Sequence, residues 1–291
     1  MTIRDVLKWI TGRPLSVLVG IMFVCDVCIF YTFIRHEHRQ LTVAFLDIGQ
    51  GDAVYIEAPN GNQMLYDAGP PTGAVLRALS SFMPFYDRSI DVAVFSHPDM
   101  DHIGGFLDVF DRYKVDVMLE PGSRSDNGTY DEAEQSIAKH HITRIVAERG
   151  MTIDMGGGVQ ADILYPDRDM SKMETNASSI VMRIHYGTTA FLVSGDLPIA
   201  QENHIVSLDG KNLHVQVLKL GHHGSHTSSG EGWLRAVHPD IAVVSAGLNN
   251  RYGHPHKDTL ARLDALGIPY LVTFKEGTIV FASDGKIVVR D

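Results

Sequence analysis

Cysteine is all but missing from this chain: the two present, Cys25 and Cys28, both lie near the N-terminus. So low a count excludes a disulfide scaffold and a four-cysteine zinc site, and beyond residue 28 any metal must be held by nitrogen and oxygen. Bases are scarce too, 25 Lys and Arg against 35 Asp and Glu. A general basic grip on nucleic acid is thereby excluded, though a local one is not. Long apolar runs are missing everywhere except the N-terminus, which rules out a polytopic membrane protein. Repeats and low-complexity tracts are missing as well, and a hydrophobic content of 44% excludes a disordered chain. The 291 residues fit one globular domain of roughly 250 residues with an appendage. Histidine, by contrast, is plentiful: 15 residues, many in tight clusters.

The appendage is the one long apolar run, residues 15–34, whose only charge is Asp26. A helix of about 20 residues reaches about 30 Å, the thickness of a bilayer core. Phe30, Tyr31, Phe33 and Ile34 stand where signal-peptide cleavage needs small side chains, and Met22, Phe23 and Val24 before Cys25 speak against lipoprotein processing. The run reads as an uncleaved transmembrane anchor in the cell membrane, with a cytoplasmic segment 1–14 before it and a linker 35–40 after it. Asp26 costs roughly 3 kcal/mol at a helix centre, which the surrounding aliphatic residues outweigh. It is either a contact for a partner helix or a tolerated polar residue. Cys25 and Cys28 share a helix face by their spacing and read as packing. Arg4, Lys8 and Arg13 precede the run while Arg35 and Arg39 follow it, a lean toward an outside, extracytoplasmic domain. Without residues 1–40 there remain 20 bases and 32 acids, a formal charge of −12.

From residue 41 to 291 strands alternate with short helices. Residues 42–47 and 52–57 read as strands joined by a Gly-rich turn, and 63–67 follows the turn Pro59-Asn60-Gly61. Residues 72–82 have helical spacing with Thr72 as N-cap, and 91–96 is a nearly continuous apolar run, as in a strand buried on both faces. A second set follows: strands at 159–164, 179–186 and 190–194, then a helix opened by Pro198. Strand 215–220, a helix around 233–237, strand 241–245, a helix 259–266 closed by Gly267 and strand 270–274 come next. A hairpin of 278–282 and 286–289 turns at Asp284-Gly285. Two mostly-β halves with helices outside predict an α/β sandwich, each half contributing one sheet.

The chemistry centres on His97-Pro98-Asp99-Met100-Asp101-His102, directly after the apolar strand. Two imidazoles and two carboxylates at a strand end can converge and offer nitrogen and oxygen to a pair of divalent ions. Gly104 and Gly105 would allow the tight turn into the next helix. Asp67, Asp196 and the pair His222-His223 also follow strand-like runs. Any one of these is weak evidence, since a Gly-Asp pair is usually a turn; four strand-end placements together form a site.

These segments resemble the metallo-β-lactamase superfamily, and within it the extracytoplasmic hydrolase domain of bacterial competence DNA-uptake channels. The resemblance spans about residues 41–285 and rests on Phe45-Leu46-Asp47-Ile48-Gly49-Gln50-Gly51-Asp52-Ala53, the segment 96–105, Asn176 with Ser179, Ser194-Gly195-Asp196, Lys219-Leu220-Gly221-His222-His223-Gly224-Ser225 and Asn250-Arg251-Tyr252-Gly253-His254-Pro255. Pneumococcal-type phosphorylcholine esterases are similar in the same motifs. The resemblance implies an αββα sandwich, here preceded by one transmembrane helix, and two divalent metal ions, Zn or Mn. His97 and Asp99 would serve one ion, Asp101 and His102 the other, with Asp196 bridging and one of His222 or His223 completing the shell. Asp67 would orient ligands or the attacking water, whereas Asp47 and Asp52 would shape the turn beside the site. Asp99 stands where the superfamily usually has histidine, which makes the site harder and more anionic. The superfamily's next histidine has no clear counterpart: His140, His141 and His185 are candidates by order only, and Asn176 and Ser179 occupy the region.

The implied reaction is hydrolysis by a metal-activated hydroxide. His254, His256, Ser225 and His226 are candidates to protonate the leaving group or hold the substrate. The first expectation is a membrane-anchored phosphodiesterase or nuclease, with DNA as the candidate substrate; the formal charge of −12 stands against a nuclease. The alternatives are a lactonase or β-lactamase, and a non-catalytic membrane-tethered binding module.

Overall fold

The computed structural model describes residues 14–37 and 40–291. Helix α1, Pro14–Glu37, belongs to the first of two compact units, residues 1–39. Side chains are described along it from 15 to 27, where Leu15, Leu18, Val19, Met22, Phe23 and Val24 stand exposed. The expected cytoplasmic segment up to residue 13, and the side chains of 28–34 that complete the apolar run, lie outside the described residues. Among the described residues no helix is long and apolar enough to cross a membrane.

The second unit, residues 40–291, is built on two sheets. Strands β1 (Leu41–Phe45), β2 (Val54–Glu57) and β3 (Gln63–Tyr66) are followed by helix α2 (Ala74–Leu79) and β4 (Ser89–Val94). Helices α3 (Met100–Ile103) and α4 (Phe106–Arg112), strand β5 (Lys114–Glu120), helix α5 (Gly128–His140) and β6 (Thr143–Val146) complete the first half. The second half runs through β7 (Thr152–Gly156), β8 (Val159–Tyr165), β9 (Val181–Tyr186), β10 (Thr189–Val193), α6 (Ile199–Asp209) and β11 (Val217–Lys219). It continues with α7 (Glu231–Val237), β12 (Ile241–Val244), α8 (Lys257–Leu266), β13 (Tyr270–Val272), α9 (Thr273–Glu276), β14 (Ile279–Ser283) and β15 (Val288–Arg290).

One sheet has the order β15-β14-β1-β2-β3-β4-β5-β6 and the other β13-β12-β11-β10-β9-β8-β7. The expectation of one sheet per half needs correction, because the C-terminal hairpin crosses over: β14 pairs antiparallel with β1, from Leu41 opposite Ser283 to Phe45 opposite Ile279. Without that pairing β1 would leave a buried strand edge with unmatched backbone groups. Several boundaries shift as well: the strands expected at 52–57, 179–186 and 215–220 are Val54–Glu57, Val181–Tyr186 and Val217–Lys219. Helix α2 is shorter than residues 72–82 and its cap position is Gly73, one residue beyond Thr72. Strand β13 ends at Val272, after which Thr273 turns the chain into α9.

Side-chain parity sorts the layers. Val43 and Phe45 face the core between the sheets with Met64, Val94, Ile184, Phe191 and Phe281, while Ala44 points the other way. Outside the first sheet, Leu65, Ala93 and Phe95 pack on Val75, Phe106, Phe110 and Ile137 from the helices. Outside the second, Leu192, Leu218 and Val244 pack on Ile205, Trp233, Leu234 and Leu263. Strands buried on both faces read as continuous apolar runs, and the result is the expected αββα sandwich. Strand β3 runs parallel to β4, and β10, β11 and β12 run parallel to one another, so their C-terminal ends open on one rim. Ligand sites of α/β sheets form at such ends.

Candidate metal centre

Every candidate ligand is delivered by a strand end on that rim. Asp67 follows β3, His97 to His102 follow β4, Asp196 follows β10, and His222 and His223 follow β11. Gly104 and Gly105 meet a different need from the expected turn: both have helical dihedrals. What they supply is space, since a Cβ on Gly105 would lie 2.0 Å from the carbonyl oxygen of Ala68. Gly51 likewise lets the loop before β2 lie against the Asp101 carbonyl oxygen, which a Cβ would meet at 2.2 Å.

Asp67 is buried at φ +59, a left-handed conformation that Asp tolerates better than most residues. There its carboxylate accepts from the Ser96 backbone N–H at 2.8 Å and from the Ser96 hydroxyl at 2.7 Å, and meets His102 Nδ1 at 2.8 Å. The Ser96 proton is thus committed, so its oxygen accepts from His97 Nδ1 at 2.9 Å. His223 Nδ1 donates to the Ser245 carbonyl at 3.0 Å. In their neutral forms all three rings are fixed in one tautomer, with Nδ1 carrying the hydrogen and Nε2 turned inward, free to take a metal ion or, without one, a proton.

Those acceptors converge. Nε2 of His97, His102 and His223, and Oδ1 of Asp196, are buried without a hydrogen-bond partner. Asp196 lies at the middle: Oδ1 is 3.3 Å from His102 Nε2, and Oδ2 is 3.5 Å from His222 Nε2, 3.6 Å from His223 Nε2 and 3.9 Å from His97 Nε2. Asp99 lies 3.6 Å from His97 Nε2, and Asp101 lies 3.3 Å from His223 Nε2. Buried lone pairs facing one another at these distances repel unless a cation stands between them, and the donor set of imidazole and carboxylate fits zinc or manganese. Both His222 and His223 reach Asp196. They do so because both adopt left-handed dihedrals, φ 50 and φ 55.

Asp52 is the main correction. Instead of shaping the turn it is fully buried among these groups, and an atom from each of Asp52, His102, Asp196 and His223 lies within 4.8 Å of the others. Its carboxylate faces the Nδ1 side of the rings, 3.2 Å from His223 and 3.7 Å from His102, and is ion-paired with the buried Lys219 ammonium. Ligand electrons leave from Nε2, so Asp52 sits behind the rings as an orienting carboxylate. The sequence signal for Lys219 is that of an isolated lysine at the end of an apolar strand, three residues before His222.

The field favours positive charge at the centre. Burial opposes ionisation of Asp196, yet His102 and His223 hold it well below the carboxylate range. Burial also opposes Asp101, and His223 and His102 pull it down. Burial lowers His223, but Asp196 and Asp52 outweigh it and raise the ring to about 10.

His254 reaches the cluster, its ring 5.4 Å from His222 and 6.2 Å from His223. Burial and those two neighbours lower its pKa to about 4, so it is uncharged at neutral pH and ill suited to protonate a leaving group. Asn176 lies in the segment that packs here: Ser179 accepts from the Asp196 N–H at 3.1 Å, and Asn176 Oδ1 is buried without a partner. Three other candidates make their contacts elsewhere. Ser225 is buried against Thr227 Oγ1 at 2.9 Å, His226 pairs with the His256 ring at 4.8 Å, and His256 caps α8 by accepting from Asp258 N–H. Asp47 is exposed and caps the Gly49 turn. His140 pairs with Asp111, His185 with Asp162, and His141 ends α5 in a left-handed conformation, all apart from the cluster.

A family model described as the Metallo-beta-lactamase superfamily matches residues 46–247. The chain is 34% identical to "Competence protein ComA" of Neisseria gonorrhoeae over 269 residues, covering 92% of this chain and 35% of that protein. It is 28% identical to "ComE operon protein 3" of Bacillus subtilis, covering 99% of this chain and 39% of that protein. The chain therefore spans little more than a third of the length of these relatives. Among solved structures, the CmlA beta-hydroxylase E377D mutant superposes with a TM-score of 0.50 at 16% identity, over 80% of this chain and 52% of that one, a likeness of fold.

Proposed function

From the premise that the chain belongs to the metallo-β-lactamase superfamily, we propose a membrane-anchored, metal-dependent phosphodiesterase, of nuclease type, acting with two divalent cations, Zn or Mn. The observation that carries this reading is the set of bare Nε2 atoms on His97, His102 and His223 around Asp196. Charge supports two ions. Asp52, Asp67, Asp99, Asp101 and Asp196 converge against the ammonium of Lys219, a formal −4 with the imidazoles in the neutral form that binds metal, which two divalent cations would balance.

His97, Asp99 and His222 would hold one ion, Asp101, His102 and His223 the other, and Asp196 would face both. Divalent cations held by these residues would supply Lewis acidity, which would make a water more acidic and offset charge on a phosphoryl oxygen. The protein's own part is to keep the ligands aimed. Asp67 holds the His102 ring and the Ser96 backbone, Asp52 with Lys219 holds His223, and the Ser179 hydroxyl holds the backbone of Asp196. Asn176 Oδ1 and neutral His254 are left to accept hydrogen bonds from substrate or water. The similarity to competence proteins supports a nucleic-acid-related phosphodiester. The run 15–34 and the exposed apolar side chains of α1 support the anchor, with the hydrolase domain outside the cytoplasm.

The test is to purify the full chain in detergent, measure bound metal, and assay bis-p-nitrophenyl phosphate, single-stranded DNA and a lactam. Phosphodiester turnover lost in Asp101→Ala and His102→Ala supports the proposal. Lactam turnover alone, or a folded, metal-free and inactive protein, overturns it. Recovery in the membrane fraction after a carbonate wash checks the anchor separately.

A further inference from the structure

Between β12 and α8 the chain makes the loop Gly247-Leu248-Asn249-Asn250-Arg251-Tyr252-Gly253-His254. One side chain ties this loop into a fixed shape. Asn250 Nδ2 donates to the carbonyls of Gly247 at 2.9 Å and His254 at 2.6 Å, while its Oδ1 accepts from the N–H groups of Tyr252 at 3.2 Å and His254 at 3.0 Å. The base of the loop is fixed too, because the Gly247 N–H donates to Gln50 Oε1 at 3.1 Å.

What this clamp positions is an aromatic tier running outward from the centre. His254 lies against His222 and His223; the Tyr252 ring stacks on His254 at 5.7 Å with 20° between planes. The Arg251 guanidinium then lies 4.8 Å from the Tyr252 ring centre and donates to the Tyr252 hydroxyl at 2.6 Å. Yet Tyr252 is 51% exposed and Leu248 68% exposed. Beneath the loop a cavity of about 370 Å³ is lined by Leu248, Asn249, His254 and Lys275 among others.

Packing gives no reason for a half-bare aromatic ring clamped beside a hydrolytic centre. A guest does: a flat ring attached to an anionic group that reaches the cations, which takes the place of the exposed Arg251 side chain over the Tyr252 ring while the guanidinium turns to the guest's charge. Nucleobases on a phosphodiester backbone have this form, and every base has a π-face for a tyrosine. Bases inside a duplex are already stacked on one another, so the free ones belong to a single strand. Such a grip also needs little net charge, which suits a domain formally at −12 better than a basic groove would.

We propose that Tyr252, clamped by Asn250 and flanked by Arg251, is a nucleobase-stacking subsite, which makes single-stranded nucleic acid the substrate class of the centre. The proposal rests on the phosphodiesterase reading above. Its test compares the full chain, supplied with Mn²⁺ or Zn²⁺, on a single-stranded oligothymidine and on an abasic strand of equal length. Wild type should show a KM for the abasic strand about tenfold above that for oligothymidine. Tyr252→Ala should bring the ratio close to one, and Tyr252→Trp should keep it. Oligothymidine should also quench the added emission of the Tyr252→Trp protein while the abasic strand does not. Turnover of bis-p-nitrophenyl phosphate by a wild type that does not discriminate the strands, or a ratio that survives in Tyr252→Ala, overturns the subsite alone. A wild type that hydrolyses no phosphodiester overturns the reading and the subsite together.

Discussion

Lys219 and Asp52 form an ion pair from which solvent is wholly excluded, both side chains having zero exposure. Lys219 closes β11 and Asp52 precedes β2, so the pair joins the two sheets at the rim where the imidazoles gather. Its other contact, the Leu220 carbonyl at 3.1 Å, keeps the ammonium in place. The pair acts behind the ligands, through the Nδ1 atoms of His223 and His102.

Breaking this pair from one side leaves a buried charge without a counter-ion. Lys219→Met should cost about 3–5 kcal/mol, and weaken metal binding about 10–100-fold by freeing the His223 ring. The double change Lys219→Met with Asp52→Asn should recover part of the stability but little of the affinity. Urea unfolding and a chelator-competition titration check both arms; equal stabilities of single and double variants would refute the account.

His222 and His223 both reach Asp196, but their supports differ. His223 is buried and fixed by Ser245 and Asp52; His222 is 26% exposed, with Thr227 Oγ1 at 3.2 Å from its Nδ1. His223→Ala should therefore lose an equivalent of metal at a concentration where His222→Ala only weakens retention. Metal content after gel filtration decides, and the reverse order would assign the tighter site to His222.

Away from the centre, Glu202 on α6 is buried and its two oxygens accept from the N–H groups of Ser229 at 2.6 Å and Gly230 at 2.8 Å. Burial pushes its pKa from 4.5 up to about 7, with the two N–H groups and Arg262 pulling the other way. A raised folded pKa means that the folded state holds the proton more tightly. The contribution, on the order of 3 kcal/mol, is present in full below about pH 4.5 and lost as pH rises through about 7. Glu202→Gln should remove that slope, so the stability difference from wild type should change between pH 5 and pH 8. A constant difference in denaturant midpoint would contradict it.

Alanine usually stabilises a helical glycine position by about 0.4–1 kcal/mol, but Gly105→Ala should do the opposite. Its Cβ would sit 2.0 Å from the Ala68 carbonyl oxygen, beside Asp67, and such overpacking costs typically about 1–3 kcal/mol. Gly128→Ala, with nothing within 4 Å, serves as the control and should be neutral or stabilising. Melting temperatures of the two variants give the comparison.

Much of the fold and centre was legible along the chain. Apolar runs marked the strands, and His97, Asp99, Asp101 and His102 follow β4 so closely that a local turn alone gathers them. Asp52, Lys219 and Tyr252 were not legible as functional residues, because each depends on a partner distant in sequence. An Asp after a glycine reads as a turn until Lys219, 167 positions later, is brought against it. Tyr252 reads as a loop residue until Asn250 folds it onto His254.

Local sequence determined which groups could bind a cation: the residue types, their placement after strands, and the lack of cysteine beyond residue 28. Continuous apolar runs likewise determined that both faces of the central strands must be covered, since apolar side chains occur at successive positions. Tertiary structure alone decided which nitrogen each imidazole leaves bare, because that depends on what stands behind the ring. It also decided that the C-terminal hairpin belongs to the first sheet, since pairing β14 with β1 satisfies backbone groups that no residue near β1 could reach.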